Sequence, residues 1–423
     1  MSKKLPPEAR RALGHVGGPT TTHGDAEIAE KLARIFDVRP APEDEESVRA
    51  HVHGFHSYPA RLHPNVARQA LATFAPEGGT VLDPFCGSGT VLVEARLRGL
   101  RAIGTDVNPL AIRLARLKVR GVPAQERRAL VEHAKKIEGY ARKRYTEKAR
   151  PTMRYPEEDV ALFAPHVLLE LDSIRDGIDR VHSKGLREDL ELVLSAILTK
   201  ASRQRGDTGT TLGPRRLAPG FVSKMFVAKA EELAAALEEF ERALPPGAPE
   251  ADVHADDART LGTLKAGSVD LVLTSPPYAA TYDYLEHHDV RLRWLRLKPE
   301  RFAELEVGAR RAYAKLTAGR ARDRWDDELG RTLKAMARSM RPSALLLLVI
   351  ADSAVRSMAL RAETVVENLA PRADLEVVAI ASQARPHFHT ATRHAFADRP
   401  RREHLIALRR TAIAAPDVGS ARS

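Results

Sequence analysis

Residues 269–278 read "VDLVLTSPPY", an apolar run of strand character stopped by Ser275, Pro276, Pro277 and Tyr278. Each proline fixes φ and removes a backbone donor. The strand end therefore offers carbonyls in a rigid row beside one hydroxyl and one aromatic ring. Ser275 Oγ and the Pro276 carbonyl are neighbouring acceptors, and Tyr278 supplies a flat face. This set suits a planar ligand that carries an amino group.

A second constellation lies upstream. "VLDPFCGSGTVLVEA" at 81–95 reads as a strand, a turn holding Gly87 and Gly89, and a helix. Glycines there let the backbone approach a ligand closely, and the helix start offers unpaired N–H donors. About twenty residues on, "AIGTDVNPLA" places Asp106 at the end of the next strand, where an acid can accept both ribose hydroxyls of a nucleoside. The turn lacks a third glycine, since Leu92 stands three positions after Gly89, which disfavours a dinucleotide. It also lacks the lysine of a phosphate-binding loop.

"DPFCGSGT", "GTDVNP" and "SPPY", in that order, resemble the S-adenosylmethionine-dependent amino-methyltransferases of DNA, the family modifying cytosine N4 or adenine N6. The resemblance extends to "FHSYPARLHP" at 55–64 and to "HADDARTL" at 254–261, and it covers roughly 51–118 and 250–410. It implies S-adenosyl-L-methionine as cofactor, no metal, and double-stranded DNA as partner. A companion restriction endonuclease is compatible with it, and the residues specify no oligomeric state.

The resemblance also assigns roles. Asp83 and the turn through Phe85, Cys86, Gly87 and Gly89 hold the methionine moiety. Asp106 takes the ribose, Asp257 the adenine amine with Asp256 as the adjacent candidate, and Tyr58 closes the pocket. Ser275, Pro276, Pro277 and Tyr278 form the catalytic segment. The base must leave the duplex to reach it, and Tyr278 stacks on the flipped ring.

An exocyclic amine is a weak nucleophile because its lone pair is delocalised into the ring. Acceptors for both of its hydrogens bias that lone pair toward the methyl group, and positioning supplies much of the acceleration. In the resembling family, serine at the first position is commoner with cytosine N4 and aspartate with adenine N6, so cytosine N4 is expected. The glycine turn precedes Ser-Pro-Pro-Tyr, an order less common among the cytosine-N4 enzymes. Cys86, the only cysteine, follows Phe85 inside the turn rather than a proline, which excludes C5 chemistry through a cysteine nucleophile. Guanine N2 of tRNA and a catalytically silent nucleic-acid-binding protein are the rival readings.

The elements that must position these groups alternate along the chain. Strand patterns fall at 80–85, 101–106, 251–256, 268–275, 343–353, 375–382 and 403–410, with helical patterns between most of them. Alternation of this kind predicts a doubly wound, mostly parallel sheet. With the resemblance, the expected α/β fold is the Rossmann-like seven-stranded sheet of class I methyltransferases, closed by an antiparallel final hairpin. The expected organisation is an N-terminal extension at 1–50, a cofactor half at 51–118 and a helical insertion at 119–250 suited to DNA recognition. A catalytic half at 251–410 and a disordered tail at 411–423 follow.

The 423 residues carry 67 Lys+Arg against 56 Asp+Glu, a net charge of +11 that favours a polyanionic partner. One cysteine excludes an internal disulfide and any multi-cysteine zinc site. The start of the chain has no signal-peptide core and no apolar run is long enough to span a bilayer, so a cytoplasmic protein is expected, with no membrane partner. Basic stretches at 203–216, 310–324 and 385–402 are candidate phosphate contacts. The last includes His387 and His389, which lack a further metal-ligand set.

Overall fold

Apolar residues in the central strands alternate between two cores, as the period of two demands for a sheet covered on both faces. Leu271, Leu273, Leu347, Leu405 and Ala407 join one core; Val272, Leu346, Leu348, Ile406 and Leu408 join the other. The computed structural model describes residues 19–38, 42–204, 212–213, 215–385 and 390–411. The tail from 412, His387, His389 and most of the basic stretch at 203–216 lie outside the described residues.

The chain opens with β1 (Thr21–Gly24), α1 (Ala26–Phe36), α2 (Pro42–Arg49) and α3 (Pro64–Phe74). Strand β2 (Thr80–Asp83), α4 (Thr90–Leu97), β3 (Arg101–Asp106) and α5 (Pro109–Val119) form the first strand–helix units of the sheet. Among the described residues, five helices follow without a sheet strand: α6 (Ala124–Thr146), α7 (Glu157–Leu162), α8 (Pro165–Asp179), α9 (Lys184–Ala201) and α10 (Phe221–Ala243). The sheet resumes with β4 (Asp252–Ala255) and β5 (Val269–Thr274). Helices α11 (Tyr284–Trp294), α12 (Glu300–Leu305), α13 (Arg310–Tyr313) and α14 (Ala318–Ser339) lead to β6 (Met340–Ala351). A small ribbon of β7 (Ser353–Val355) and β8 (Met358–Leu360), then α15 (Ala362–Leu369), β9 (Leu375–Ala384) and β10 (Arg402–Arg410), complete it.

The main sheet has the order β1-β9-β10-β6-β5-β2-β3-β4. Strands β4, β3, β2, β5 and β6 are parallel, and β10 inserts antiparallel between β6 and β9. The antiparallel hairpin is as expected, but the described sheet has eight strands rather than seven. The extra one is β1, from the stretch read as an N-terminal extension; it pairs antiparallel with β9. All four of its residues are exposed, so it carries no apolar alternation to betray it. Helix α1 then buries Ala29, Leu32, Ile35 and Phe36 against the same edge.

Because β2 is flanked by β3 on one side and β5 on the other, the chain reverses direction of winding at β2/β5. A crevice at the carboxyl ends of the strands is the consequence of such a switch. The α6–α10 helices brace one side of it. His56 Nε2 meets Ser195 Oγ at 2.9 Å, Lys229 Nζ donates to the Phe55 carbonyl at 3.2 Å, and Arg291 donates to Ser57 Oγ and Thr199 Oγ1. Arg293 and Arg296 of the α11 region pair with Asp159 and Asp179. Among the described residues no helix is long and apolar enough to cross a membrane.

Candidate active site

The crevice is a cleft whose empty space, counted out into open solvent, is about 830 Å³. Its floor is the turn between β2 and α4. Gly87 (φ 49) and Gly89 (φ 87) both lie in the left-handed region, which glycine adopts without strain. A Cβ on Gly87 would stand 3.3 Å from the Tyr58 ring, so the missing side chain is what lets Tyr58 close over the turn. Gly89 caps α4 and packs on Ala115; it does not line the cleft.

Asp83 and Asp106 hold the turn in shape. Asp83 accepts from Thr274 Oγ1 at 2.7 Å and from the Phe85 amide at 3.2 Å. Asp106 accepts from the Gly87 amide at 2.9 Å and the Asn108 amide at 2.8 Å, while Asn108 Nδ2 donates to Tyr58 Oη at 3.2 Å. The Cys86 amide bonds to the Thr105 carbonyl, which ties the turn to β3. Burial pushes Asp83 up to about 7 and Asp106 up to about 6, against the hydrogen bonds that favour their ionised forms. The Cys86 thiol is pushed well up by burial and by these two acids, so it is inert as a nucleophile.

Beyond β4 both neighbouring acids face the cleft. Asp256 is a local cap: it accepts from the Asp257 amide and from both the amide and hydroxyl of Thr263. Burial raises it, yet those bonds hold it below the usual carboxylate range. Asp257 is paired with Arg259 at 2.8 Å. The opposite wall comes from Phe302, Leu305, Glu306 and Val307, a segment that carries no motif. It is pinned to the loop after β5 because the Ala280 amide bonds to the Gly308 carbonyl and the Tyr284 amide to Glu306 Oε1.

Ser275 and Pro277 open onto this same cleft, beside Asp83, Phe85, Cys86, Gly87, Asp106, Asp257 and Tyr58. Pro276 is buried and Tyr278 stands behind Ser275; neither lines the cleft. The Tyr278 hydroxyl donates to Glu403 Oε1 of β10 at 3.0 Å. Tyr284 lines the cleft instead, with its ring near Tyr58 and His288. Arg61, Asn108, Ser88 and the 302–307 wall were not singled out from the sequence. Only the quoted "FHSYPARLHP", "GTDVNP" and "CGSGT" signalled the first three. Of the basic stretch at 310–324, Arg310, Arg311, Arg322 and Arg324 are engaged in ion pairs within the chain.

A doubly wound sheet with a glycine turn, a ribose-height acid and a polar strand end at one switch point defines a class I methyltransferase fold. Residues 26–117 match the family model described as a DNA methylase, of the N6/N4 type. The chain is 38% identical over 82 residues to the type II methyltransferase M.MvaI of Kocuria varians, covering 18% of each chain. It is 34% identical over 76 residues to M.MjaII of Methanocaldococcus jannaschii, covering 18% of this chain and 14% of that one. It is also 40% identical over 52 residues to a tRNA (guanine(10)-N2)-dimethyltransferase of Methanothermobacter thermautotrophicus, 12% of this chain and 16% of that one. The matches thus span less than a fifth of these relatives. The rRNA methyltransferase AviRa of Streptomyces viridochromogenes covers 87% of this chain and 93% of its own at 16% identity, with a TM-score of only 0.34.

S-adenosyl-L-methionine is the cofactor of this family, and the cleft fits it. Ser88 Oγ is buried at the cleft floor with no hydrogen-bond partner, a donor and acceptor awaiting a ligand. The two acids with raised pKa values are suited to a cation, whose arrival stabilises their charged forms. Asp83 gives a direct check. In the ligand-free fold it holds a proton up to about pH 7, whereas an unfolded aspartate loses it near 4. The folded state binds more protons across that window, so Asp83 lowers stability as pH rises from about 4 to about 7. Asp83→Asn is expected to remove this slope, making the variant more stable than the parent near pH 8 by on the order of 4 kcal/mol. Chemical denaturation at pH 5 and pH 8 reads it; a pH-independent difference would remove Asp83 as the source.

Proposed function

We propose that the protein transfers a methyl group from S-adenosyl-L-methionine to an exocyclic amine of a flipped base in double-stranded DNA, with cytosine N4 as the acceptor. The observation that carries this reading is that Ser275 and Pro277 open onto the cleft that also holds Asp83, Gly87, Asp106 and Asp257. Acceptors for an amine thus share one space with the groups suited to a nucleoside cation.

The cofactor, when bound, supplies an electrophilic methyl group. The chain's own residues do the rest. Asp106 and Ser88 offer acceptors to ribose and methionine, Asp257 with Asp256 faces the adenine, and Tyr58 shuts the pocket over Gly87. Ser275 Oγ, which opens onto the cleft, takes an amine hydrogen and so orients the nitrogen lone pair. The Phe302, Leu305 and Val307 wall excludes water from the side opposite the turn. In this reading 51–118 and 251–410 form the two halves of the catalytic unit, and the protein works in the cytoplasm.

The match to a tRNA guanine-N2 enzyme favours a second reading, RNA as substrate. Incubation with labelled S-adenosylmethionine and either duplex DNA or RNA, followed by nucleoside mass spectrometry, separates them. N4-methylcytosine from DNA is the expected product. N6-methyladenine keeps the mechanism and changes the base; label confined to RNA overturns the DNA reading.

A further inference from the structure

Arg61 lies ahead of α3 and lines the cleft, where the other charged lining residues are all acids: Asp83, Asp106, Asp256, Asp257 and Glu306. It is the one basic side chain among the described residues of that lining. Its Nη1 donates to the His53 carbonyl at 2.6 Å, which fixes one arm of the guanidinium. That anchor is rigid, because His53 is buried and its Nε2 meets Glu94 Oε1 of α4 at 3.0 Å. Glu94 is itself taken up by His53 and Arg68. Among the described residues no carboxylate pairs with Arg61, and the rest of its guanidinium makes no hydrogen bond to them. An arginine keeps its charge in a protein, so the cleft holds a half-buried cation with unspent donors. Tyr58, three residues earlier, lies against Gly87, where a Cβ would come within 3.3 Å of its ring. Arg61 therefore belongs to the glycine-turn side of the cleft, where Ser88 Oγ is also buried without a partner.

We propose that Arg61 binds the carboxylate of the methionine tail of S-adenosyl-L-methionine and thereby sets the direction in which the cofactor lies along the cleft. The inference rests on that cofactor and is independent of which base or nucleic acid receives the methyl group. The cofactor carries a single anionic group, its carboxylate, beside a sulfonium and an ammonium. The acids of the lining suit the two cations, and only Arg61 suits the anion. The sheet order β2-β3-β4 lays the glycine turn, Asp106 and the Asp256–Asp257 pair side by side along one edge. With the tail at Arg61 the ribose falls toward Asp106 and the adenine toward Asp257. The reverse direction would set the carboxylate against Asp256 and Asp257 and leave Arg61 facing a neutral ring. A planar guanidinium also matches a carboxylate with two parallel N–H···O bonds, which fixes angle as well as place. Arg61 touches no reacting atom in this scheme; it is a binding residue that positions the methyl donor.

Decarboxylated S-adenosylmethionine keeps the sulfonium, the amine, the ribose and the adenine, and lacks only the carboxylate. Its affinity and that of S-adenosylmethionine are measured by calorimetry on the parent, Arg61→Gln and Arg61→Lys, with thermal melting of each as the control for folding. The parent is expected to prefer S-adenosylmethionine by about 10–100-fold, the contribution of a hydrogen bond to a charged group. In Arg61→Gln, which keeps a donor for the His53 carbonyl but not the charge, that preference collapses. S-adenosylmethionine weakens by about the same factor while the decarboxylated ligand stays within about twofold of its parental affinity. Arg61→Lys restores the charge without the fork and recovers part of the preference. A variant that weakens both ligands alike overturns the proposal and makes Arg61 a residue of the local fold. Retention of the full preference in Arg61→Gln overturns it as well. Should that variant fail to fold, Arg61→Met takes its place, and a parent that binds both ligands equally overturns the proposal without any variant. A parent that binds neither ligand overturns the cofactor assignment itself, and the proposal with it.

Discussion

Replacing Ser275 with alanine is expected to lower the rate of methyl transfer by on the order of 10²-fold while cofactor affinity stays within about twofold of the parent. The hydroxyl sits at the carboxyl end of β5, where Pro276 and Pro277 hold the backbone rigid. Alanine fits the same space and leaves Asp83 with its Thr274 and Phe85 partners, so the cofactor turn is undisturbed. What is lost is one acceptor for the amine. Losing an interaction made at the reacting atom lowers kcat rather than raising KM. Single-turnover transfer with calorimetric binding of the cofactor distinguishes the cases. A variant with normal kcat would remove Ser275 from the chemistry; a variant that no longer binds cofactor would make it part of the cofactor site.

Asp106→Ala carries the second large effect, on binding. Its oxygens hold the Gly87 and Asn108 amides, and each still has a lone pair to offer a ribose hydroxyl. Hydrogen bonds to a charged group contribute about 1.5–3 kcal/mol each, so losing the ribose contacts weakens cofactor binding by about 10–100-fold or more. The effect on folding is smaller because two changes oppose each other. The variant leaves two amides without their partner, but it also removes a buried acid that burial has pushed up to about 6. Binding is therefore the decisive readout. Calorimetry showing parental affinity would take Asp106 out of the ribose site and leave it a turn-holding residue only. A parallel Asp257→Ala measurement shows whether Asp257, already paired with Arg259, contributes through its charge or through the local fold.

Much of the scaffold was legible because it is written in local terms. Strands buried on both faces show as short apolar runs, and the left-handed turn at Gly87 and Gly89 needs a residue type that advertises itself. The ends of β2, β3, β4 and β5 could be found from Asp83, Asp106, Asp256–Asp257 and Ser275, since each acid or hydroxyl interrupts an apolar run. Those signals, read in order, also carried the family resemblance. Strand β1 escaped because an exposed edge strand needs only backbone pairing.

The tertiary structure decided what lies between those points. Which of two adjacent acids is a cap followed from Thr263, seven residues beyond Asp256, and no spacing rule announces that. The 302–307 wall reaches the cleft only because Gly308 and Glu306 bond to the loop after β5. The hydroxyl of Tyr278 is held by Glu403, 125 residues along the chain. The sequence by itself determined the strand ends and the residue types that face a ligand there, because backbone dihedrals and burial period are local properties. The partners that turn those residues into a wall or a cap come from distant parts of the chain, and only the packed fold brings them within hydrogen-bonding distance.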